Sequence, residues 1–275
     1  MLKLYSSRKK IPFFKSLSKH IPEEFVNMND RLHLYKRNHL QTFKISGTEI
    51  LLESFLEERP VKAFARISSS DLFVYDQIFI DKEYKKIIDI FKHQNQRPRV
   101  ILDCGSNVGY VSLFFDLYFK EAQFFCVEPD RQNCTQIAKN LKINEIENFK
   151  IYQKALWSSK THLYLNTAFR DGLDWSFNIT KDETETMVES ISIQDIIQEN
   201  NIDCIDILKI DIEGSEKEIF ENDDRCDWLN ITKVVALEIH DEVVNRESIL
   251  RVFDKFGFEI VNEGELTYAI NKKFF

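Results

Sequence analysis

The fold of this chain is decided by residues 100–110, VILDCGSNVGY. The apolar start predicts a buried strand that ends at Asp103, followed by a turn with Gly105 and Gly109 and a helix over 108–119. Such a turn lets the backbone approach a ligand closely and presents the free N–H groups of a helix N terminus. The GxxxG spacing differs from the GxGxxG of dinucleotide-binding loops, and no Gly-Lys-Ser/Thr follows as in a P-loop. An aspartate here suits a cationic ligand group and would repel a pyrophosphate.

Apolar strands and amphipathic helices alternate from residue 98 onward. This alternation predicts an α/β fold with an open, mostly parallel sheet and helices on both faces, one of which Asp130 caps and another of which begins at Ser192. The last two strands are joined by only four residues, 262–265, too short for a crossover, so they must form an antiparallel hairpin. The predicted strands are 99–103, 122–128, 149–156, 186–193, 204–211, 233–240, 256–261 and 266–271, and the helices between them are 108–119, 130–142, 192–200, 214–222 and 243–256.

Residues 1–97 are predicted to be an N-terminal extension, or cap, of a main domain over 98–275. The charge of the first part is distinct: residues 1–48 carry 10 Lys/Arg and 3 Asp/Glu, a balance of +7, whereas the remainder carries 27 and 42, a balance of −15. From 49 to 97 we expect mixed α/β structure. The expected elements are a helix over 48–58, a β-rich segment over 71–80 and a helix over 81–94 that Asp81 caps.

Composition and charge exclude several classes of protein. The acidic main domain argues against nucleic-acid binding, and the basic segment 1–48 leaves only a weak case for contact with an anionic membrane surface. The five cysteines form no CxxC pair and leave one over, which argues against a disulfide framework and a structural zinc site. Neither a spanning run of about 18 apolar residues nor a signal-peptide stretch is present, so we expect a cytoplasmic protein. Assembly into a homo-oligomer is left open.

A second acidic position completes a ligand-binding pattern. Glu128 ends the second predicted strand, nineteen residues beyond Gly109. An acid at this distance from the glycine turn is placed to accept hydrogen bonds from both hydroxyls of a ribose. Together, Asp103 and Glu128 predict a nucleoside attached to an amino acid, and S-adenosylmethionine is that molecule.

A third element brings more acids to the same sheet edge. Residues 208–216, LKIDIEGSE, place Asp211 and Glu213 after a buried strand. On the neighbouring strand, Glu238 and His240 share a face by the two-residue period of a strand. Ligands of open α/β sheets bind at the carboxyl ends of the strands, so these side chains are candidates for the reaction centre.

From about 76 to 270, the sequence resembles the FkbM family of S-adenosylmethionine-dependent methyltransferases, which have a Rossmann-like class I fold. The matching strings are DCGSNVG at 103–109, VEPD at 127–130, KAL at 154–156, LKIDIEGSE at 208–216 and LEIH at 237–240, with YDQIF at 75–79 and EY at 83–84 upstream. The resemblance implies methyl transfer to a hydroxyl of a sugar, glycan or natural product. It implies that the methionine part is held by Asp103, Gly105, Ser106, Asn107, Gly109 and Tyr110, the ribose by Glu128, and the adenine by Pro129, Asp130, Ala155 and Leu156.

The catalytic residues that we predict are His240, Asp211 and Glu238. His240 is the first candidate for the general base, because an ordinary imidazole has a near-neutral pKa, and Asp211 is the second. Asp211 would also face the methyl donor. A Mg²⁺ ion held by Asp211, Glu213 and Glu238 is an alternative, not favoured because the same acids can bind a polyol, so no metal ligands are assigned.

The long polar segment 166–185 is a candidate lid over the acceptor. Trp175 would offer a flat platform for a sugar ring, with Arg170, Ser176 and Glu213 as polar partners. Two other classes remain: a nucleotide-binding module without catalysis and an NAD-linked oxidoreductase. The GxxxG turn and the closing hairpin argue against the oxidoreductase, and the acids at 103, 128 and 211 argue against the module.

Overall fold

The structure, a computed structural model, describes residues 40–67, 69–166, 178–180, 186–220 and 225–275. The chain divides into two compact units, Met1–Ser69 and Ser70–Phe275. The predicted domain division between residues 97 and 98 stays a prediction. Within the described residues, no helix is long and apolar enough to cross a membrane.

The described part of the first unit is an antiparallel sheet of three strands. These are β1 (Leu40–Ser46), β2 (Glu49–Leu56) and β3 (Arg59–Arg66), joined in that order. The helix predicted over 48–58 is therefore wrong. In β2 every second residue is buried, and the turn at Glu57 and Glu58 has positive φ at both positions, as a tight hairpin requires. The apolar residues of this segment fit both a helical and a strand period, and hairpin pairing decides between them.

The second unit contains the remaining strands, most of which lie where the sequence predicts them. The predicted strand 149–156 is divided, because its two ends join different sheets. The strands are β4 (Val100–Cys104), β5 (Gln123–Val127), β6 (Phe149–Tyr152), β7 (Ala155–Leu156), β8 (His162–Asn166), β9 (Asn178–Thr180), β10 (Met187–Ile191), β11 (Ile205–Ile210), β12 (Thr232–Glu238), β13 (Phe258–Glu263) and β14 (Leu266–Asn271).

The main sheet has the order β13-β14-β12-β11-β4-β5-β6 within the described residues. Strands β6, β5, β4, β11 and β12 are parallel, and β14 pairs antiparallel with both β12 and β13. The prediction of a mostly parallel sheet closed by an antiparallel hairpin is confirmed. All six residues of β11 are buried, as expected for a central strand covered on both faces. A smaller sheet has the order β7-β10-β8-β9.

Helices connect these strands, and the predicted Asp130 cap is confirmed. The Asp130 side chain accepts a hydrogen bond from Asn133 N (2.8 Å), and Ser192 forms a reciprocal capping box with Asp195. The helices are α1 (Asp71–Tyr75), which continues into a π-helical turn (Asp76–Ile80), α2 (Lys85–His93), α3 (Tyr110–Asp116), α4 (Arg131–Ile143), α5 (Ile193–Asn200), α6 (Glu216–Phe220) and α7 (Arg246–Lys255), with a 3-10 turn at Asp227–Ile231.

The segment 71–80 is helical, so its predicted β-rich structure is wrong. Its aromatic residues serve helix packing instead: Tyr75 and Phe79 meet Tyr110 of α3 with ring centroids 5.9 and 5.8 Å apart. The predicted Asp81 cap is also wrong, because Asp81 ends the π-helical turn and α2 begins after Tyr84.

Candidate functional site

The predicted acids meet at one edge of the main sheet. Strands β4, β5, β11 and β12 are parallel neighbours, so their carboxyl ends lie side by side. Asp103 is on β4, Glu128 follows β5, Asp211 follows β11 and Glu238 ends β12. This edge is where ligands of open α/β sheets bind.

Asp103 is fully buried and has one unsatisfied oxygen. Ser112 Oγ donates a hydrogen bond to Asp103 Oδ2 (2.7 Å), whereas Oδ1 accepts none from any described residue. Lys209 Nζ lies 3.7 Å from that Oδ1 and 3.5 Å from Asp211 Oδ2, and it donates to Gly105 O (2.5 Å). Lys209 thus connects Asp103, the glycine turn and Asp211.

Sequence analysis did not identify Lys209 as a functional residue. A lysine within the apolar string ILKI was the available signal, because a buried lysine requires charged partners. Burial alone would lower the pKa of Lys209, but the charges of Asp211 and Asp103 outweigh burial and raise it.

The glycine turn packs directly against the loop after β11. Gly105 has a φ of +78°, and a Cβ placed on it would lie 1.7 Å from the carbonyl oxygen of Asp211. No residue with a side chain fits there without movement of the backbone. The absence of a side chain at Gly105 therefore allows the glycine turn and the loop after β11 to pack this closely.

Glu128 is buried and anchors the same turn from the other side. Its Oε2 accepts from Asn107 N (2.8 Å), and its Oε1 accepts from Asp130 N (3.0 Å) and Asn133 Nδ2 (3.3 Å). A carboxylate has about four acceptor positions, so capacity for a further hydroxyl remains. Burial raises the pKa of Glu128 to about 7, against the lowering effect of these three hydrogen bonds.

These features fit S-adenosylmethionine. Asp103 Oδ1 offers a buried negative oxygen to an ammonium group, the Gly105 turn allows close approach of the backbone, and Glu128 can accept from a hydroxyl. Asn107 Oδ1 is a second buried oxygen that accepts no hydrogen bond from the described residues.

The other predicted cofactor residues occupy more closed positions. Ser106 donates to the backbone oxygen of Asp103, and Tyr110 packs among aromatic rings. The Asp130 side chain caps α4, and the side chains of Ala155 and Leu156 are buried in apolar clusters. Their contacts with a cofactor, including those of Gly109 and Pro129, stay predictions. The predicted acceptor residues Trp175, Arg170 and Ser176 lie outside the described residues.

A cluster of acids surrounds His240, which is only 4% exposed. Its Nδ1 lies 2.7 Å from Oε1 of the fully buried Glu216. Its Nε2 lies 3.4 Å from Glu213 Oε2 and 3.7 Å from Glu238 Oε1. Asp211, Glu213 and His240 each offer a ligand atom, and the three atoms lie within 4.8 Å of one another. Glu216 was not predicted as a site residue.

The acidic surroundings change the proton affinity of the cluster. Burial alone would lower the pKa of His240, but Glu216, with Asp211 and Glu213, outweighs burial and raises it to about 9. Burial and the charge of Asp211 raise the pKa of Glu238 well above its ordinary value. In the ligand-free protein His240 is therefore not the near-neutral imidazole on which its predicted role as general base depended.

The strand order of the main sheet and the acids at its carboxyl edge define a Rossmann-like class I methyltransferase. A family model, the methyltransferase FkbM domain, matches residues 103–260, more than half of the chain. The chain belongs to the FkbM methyltransferase family, which confirms the resemblance and implies that S-adenosylmethionine is its methyl donor.

Two related proteins and two solved structures illustrate the similarity. The chain is 25% identical over 222 residues to methyltransferase sdnD of Sordaria araneosa, covering 70% of this chain and 83% of that protein. It is 26% identical over 230 residues to 31-O-demethyl-FK506 methyltransferase FkbM of Streptomyces tacrolimicus, covering 72% and 85%. Precorrin-6y C5,15-methyltransferase from Geobacter metallireducens GS-15 is 15% identical with a TM-score of 0.37, covering 64% and 79% of the two chains. The bifunctional kinase-methyltransferase WbdD is 11% identical with a TM-score of 0.43, covering 70% and 38%.

Proposed function

We propose that this chain methylates a hydroxyl oxygen of a small acceptor, namely a sugar, a glycan or a natural product. The proposal rests on two acidic positions, Asp103 and Asp211, which both lie near the side-chain nitrogen of Lys209. Asp103 has a buried oxygen without a hydrogen-bond donor among the described residues, and Asp211 stands 30% exposed beside it. The first position suits a cationic donor, and the second suits a group that must lose a proton.

The first role of the chain is to bind the methyl donor and to orient it. Asp103 would hold the ammonium group and Glu128 the ribose, with the Gly105 turn between them. When bound, S-adenosylmethionine supplies a methyl carbon on positively charged sulfur, so that transfer forms one C–O bond, breaks one C–S bond and releases one proton. Rigid placement supplies much of the rate in such a displacement.

On the acceptor side, the task is to receive that proton. A hydroxyl is a weak nucleophile, and removing its proton as the new bond forms accelerates transfer by a typical factor of about 10²–10⁴. We assign this task to the carboxylates of Asp211 and Glu238, which lie beside His240 and whose oxygens can also accept hydrogen bonds from a polyol. Glu213, with Arg170, Trp175 and Ser176, is proposed to recognise the rest of the acceptor.

A relative supports the choice of oxygen as the acceptor atom. The name of the Streptomyces tacrolimicus protein describes methylation of 31-O-demethyl-FK506, a compound that lacks a methyl group on oxygen. This chain shares 26% identity with that protein over most of both chains. The identity of its own acceptor is a separate question for experiment.

The experiment combines donor binding with an acceptor screen. Calorimetry should detect binding of S-adenosylmethionine but not of NAD, and Glu128→Ala should weaken that binding about 100-fold through lost hydrogen bonds to a carboxylate. The protein is then incubated with methyl-labelled donor and a panel of sugars, glycans and small alcohols, and labelled ethers are identified by mass spectrometry. Binding of NAD alone would favour an oxidoreductase, and donor binding without transfer to any acceptor would favour a binding module.

A further inference from the structure

We propose that Asp211, Glu213 and His240 bind a divalent transition-metal ion, of which Mn²⁺ is the test case. Their ligand atoms lie within 4.8 Å of one another at the carboxyl edge of the sheet. The use of this ion in methyl transfer rests on the proposed function. Its binding does not, because binding is a property of the three side chains.

The orientation of His240 points to an ion rather than to a simple acidic cluster. A carboxylate can only accept hydrogen bonds, so the contact with Glu216 places a proton on Nδ1. The buried Nε2 then faces Glu213, yet it makes no hydrogen bond with any described residue, and a bound cation would take the place of its proton. A histidine that binds a metal through one ring nitrogen commonly donates the other N–H to a carboxylate, which is the arrangement found here.

The distances suit a shared ion. Two ligand atoms that are each about 2.1 Å from one metal lie roughly 3.0–3.5 Å apart when their angle is between 90° and 110°. His240 Nε2 and Glu213 Oε2 are separated by 3.4 Å. The ligand atoms of all three residues lie within 4.8 Å of one another. This distance slightly exceeds the roughly 4.2 Å that separates two ligand atoms on opposite sides of one ion. Asp211, whose side chain is 30% exposed, has the freedom to close that difference.

The surrounding charge favours a cation, and the donor atoms indicate which kind. The carboxylates of Glu213, Glu216 and Glu238 all lie within 4 Å of His240. An imidazole among carboxylates selects ions such as Mn²⁺ or Zn²⁺, whereas Mg²⁺ prefers an all-oxygen set. This ligand set differs from the Mg²⁺ alternative of the sequence analysis, because His240 replaces Glu238 as the third ligand.

The ion would act on the acceptor as a Lewis acid. Coordination of the acceptor oxygen lowers the pKa of its hydroxyl, so the O–H bond breaks more readily. The released proton leaves to solvent, to which the side chain of Asp211 is 30% exposed. The oxygen then forms its bond to the methyl carbon while the carbon–sulfur bond breaks and the sulfur leaves uncharged. Protons and charges balance without an added oxidant or reductant.

The test measures ion binding directly in the full chain. After treatment with a chelator and its removal, Mn²⁺ is titrated by calorimetry and by loss of the free-ion electron paramagnetic resonance signal. We expect one ion per chain, with binding weakened about tenfold or more by Glu213→Gln and by His240→Gln. Glu216→Gln should weaken Mn²⁺ binding by a similar factor, because the His240 ring would lose the carboxylate that fixes its orientation. Asp241→Asn is the matched control, since it removes one negative charge next to His240 from a residue paired with Arg246. Its affinity for Mn²⁺ should equal that of the wild type.

Thermal unfolding provides a second readout where a variant is less stable. Saturating Mn²⁺ should raise the Tm of the wild type and of Asp241→Asn, because an ion that binds only the folded state stabilises it. It should raise the Tm of Glu213→Gln less. Failure of both Mn²⁺ and Zn²⁺ to bind the wild type below about 1 mM would overturn the proposal. Equal binding by wild type, Glu213→Gln and His240→Gln would overturn it as well.

Methyl transfer separates this proposal from the proposed function. Transfer that continues at full rate in a verified metal-free protein overturns the role of the ion in transfer and leaves the methyltransferase function intact. Binding of one ion at the three residues without transfer to any acceptor supports the ion site and counts against hydroxyl methylation. Transfer that is lost with EDTA and restored by Mn²⁺ supports both.

Discussion

Lys209 shows how one residue organises both halves of the site. It lies on β11, whose six residues are all buried, and its Nζ donates to Gly105 O while lying between Asp103 and Asp211. Removing a cation from water costs several kcal/mol, which these two carboxylates offset. The lysine in turn places a positive charge beside the buried Asp103 carboxylate. The proposed donor position, Asp103, and the proposed acceptor position, Asp211, are therefore electrostatically linked through the side chain of Lys209.

Lys209→Met should destabilise the protein by about 3–5 kcal/mol, because it leaves a buried carboxylate without its cation. The free energy of unfolding in urea measures the effect. The matched control is Lys85→Met, which breaks an exposed pair with Asp89 (2.6 Å) and should cost no more than about 1 kcal/mol. Equal losses in the two variants would show that burial of Lys209 does not determine its contribution.

Glu128 gives the protein a pH-dependent stability. Burial raises its pKa to about 7 in the folded state, whereas a glutamate in an unfolded chain titrates near 4.3. Between these values the folded state holds a proton that the unfolded state has lost. The contribution of Glu128 to stability is thus present at low pH and is lost as the pH rises toward 7.

The expected outcome is that the free energy of unfolding falls more steeply between pH 5 and pH 8 in the wild type than in Glu128→Gln. The glutamine keeps the size of the side chain and cannot ionise. Urea unfolding at several pH values across this window measures both profiles. If the free energy of unfolding changes with pH in the same way in both proteins, the pKa of Glu128 is not raised in the folded state.

At the scale of single elements, α5 has a complete N-terminal cap. Ser192 Oγ accepts from Asp195 N (3.1 Å), while the Asp195 side chain accepts from Ser192 N (3.0 Å). These bonds satisfy two backbone N–H groups that the helix cannot satisfy internally. Because α5 contributes Ile193, Ile196 and Ile197 to the core, its start also positions core packing.

Ser192→Ala should therefore destabilise the protein by about 1 kcal/mol, the usual cost of losing an N-cap side chain. Ser192→Thr, which keeps the hydroxyl, is the control and should lose clearly less. Both are compared by urea unfolding at one pH. A loss in Ser192→Ala no larger than in Ser192→Thr would mean that the cap does not hold this helix.

Elements with a strong local signal could be predicted from sequence, and elements that depend on distant packing could not. Caps such as Asp130 and the alternation of strands and helices depend on residues that are close together in the sequence. The main sheet could therefore be predicted. Segment 71–80 has a strand-like composition, but its aromatic rings pack on Tyr110 of α3, which local sequence does not reveal. The helix expected at 48–58 failed because pairing with two neighbouring strands outweighs local periodicity.

The candidate site also contains residues that the sequence predicts and contacts that it does not. Asp103, Glu128, Asp211 and Glu238 were predictable because each stands at a strand end, and parallel strands bring those ends together. The partnership of His240 with Glu216 was not, since the two residues are 24 positions apart and meet only through tertiary structure. The raised pKa of His240 depends on that same partnership.

At the scale of the whole molecule, the chain divides into two compact units. The residues assigned to the donor, including Asp103 and Glu128, all lie in Ser70–Phe275, and so do their hydrogen-bond partners. The first 48 residues carry a positive balance, whereas the remainder of the chain is acidic. We therefore expect the first unit to serve acceptor use or assembly rather than donor binding.

A shortened chain consisting of Ser70–Phe275 tests this division of tasks. It should fold and bind S-adenosylmethionine with the affinity of the full chain, because every assigned donor contact is retained. Its rate of methyl transfer to an acceptor found in the screen should fall, since the unit assigned to acceptor use or assembly is missing. Calorimetry measures the first quantity, transfer of labelled methyl the second, and light scattering the state of assembly. Methyl transfer as fast as in the full chain would show that the first unit has no part in turnover, whereas lost donor affinity in a folded protein would make that unit part of the donor site.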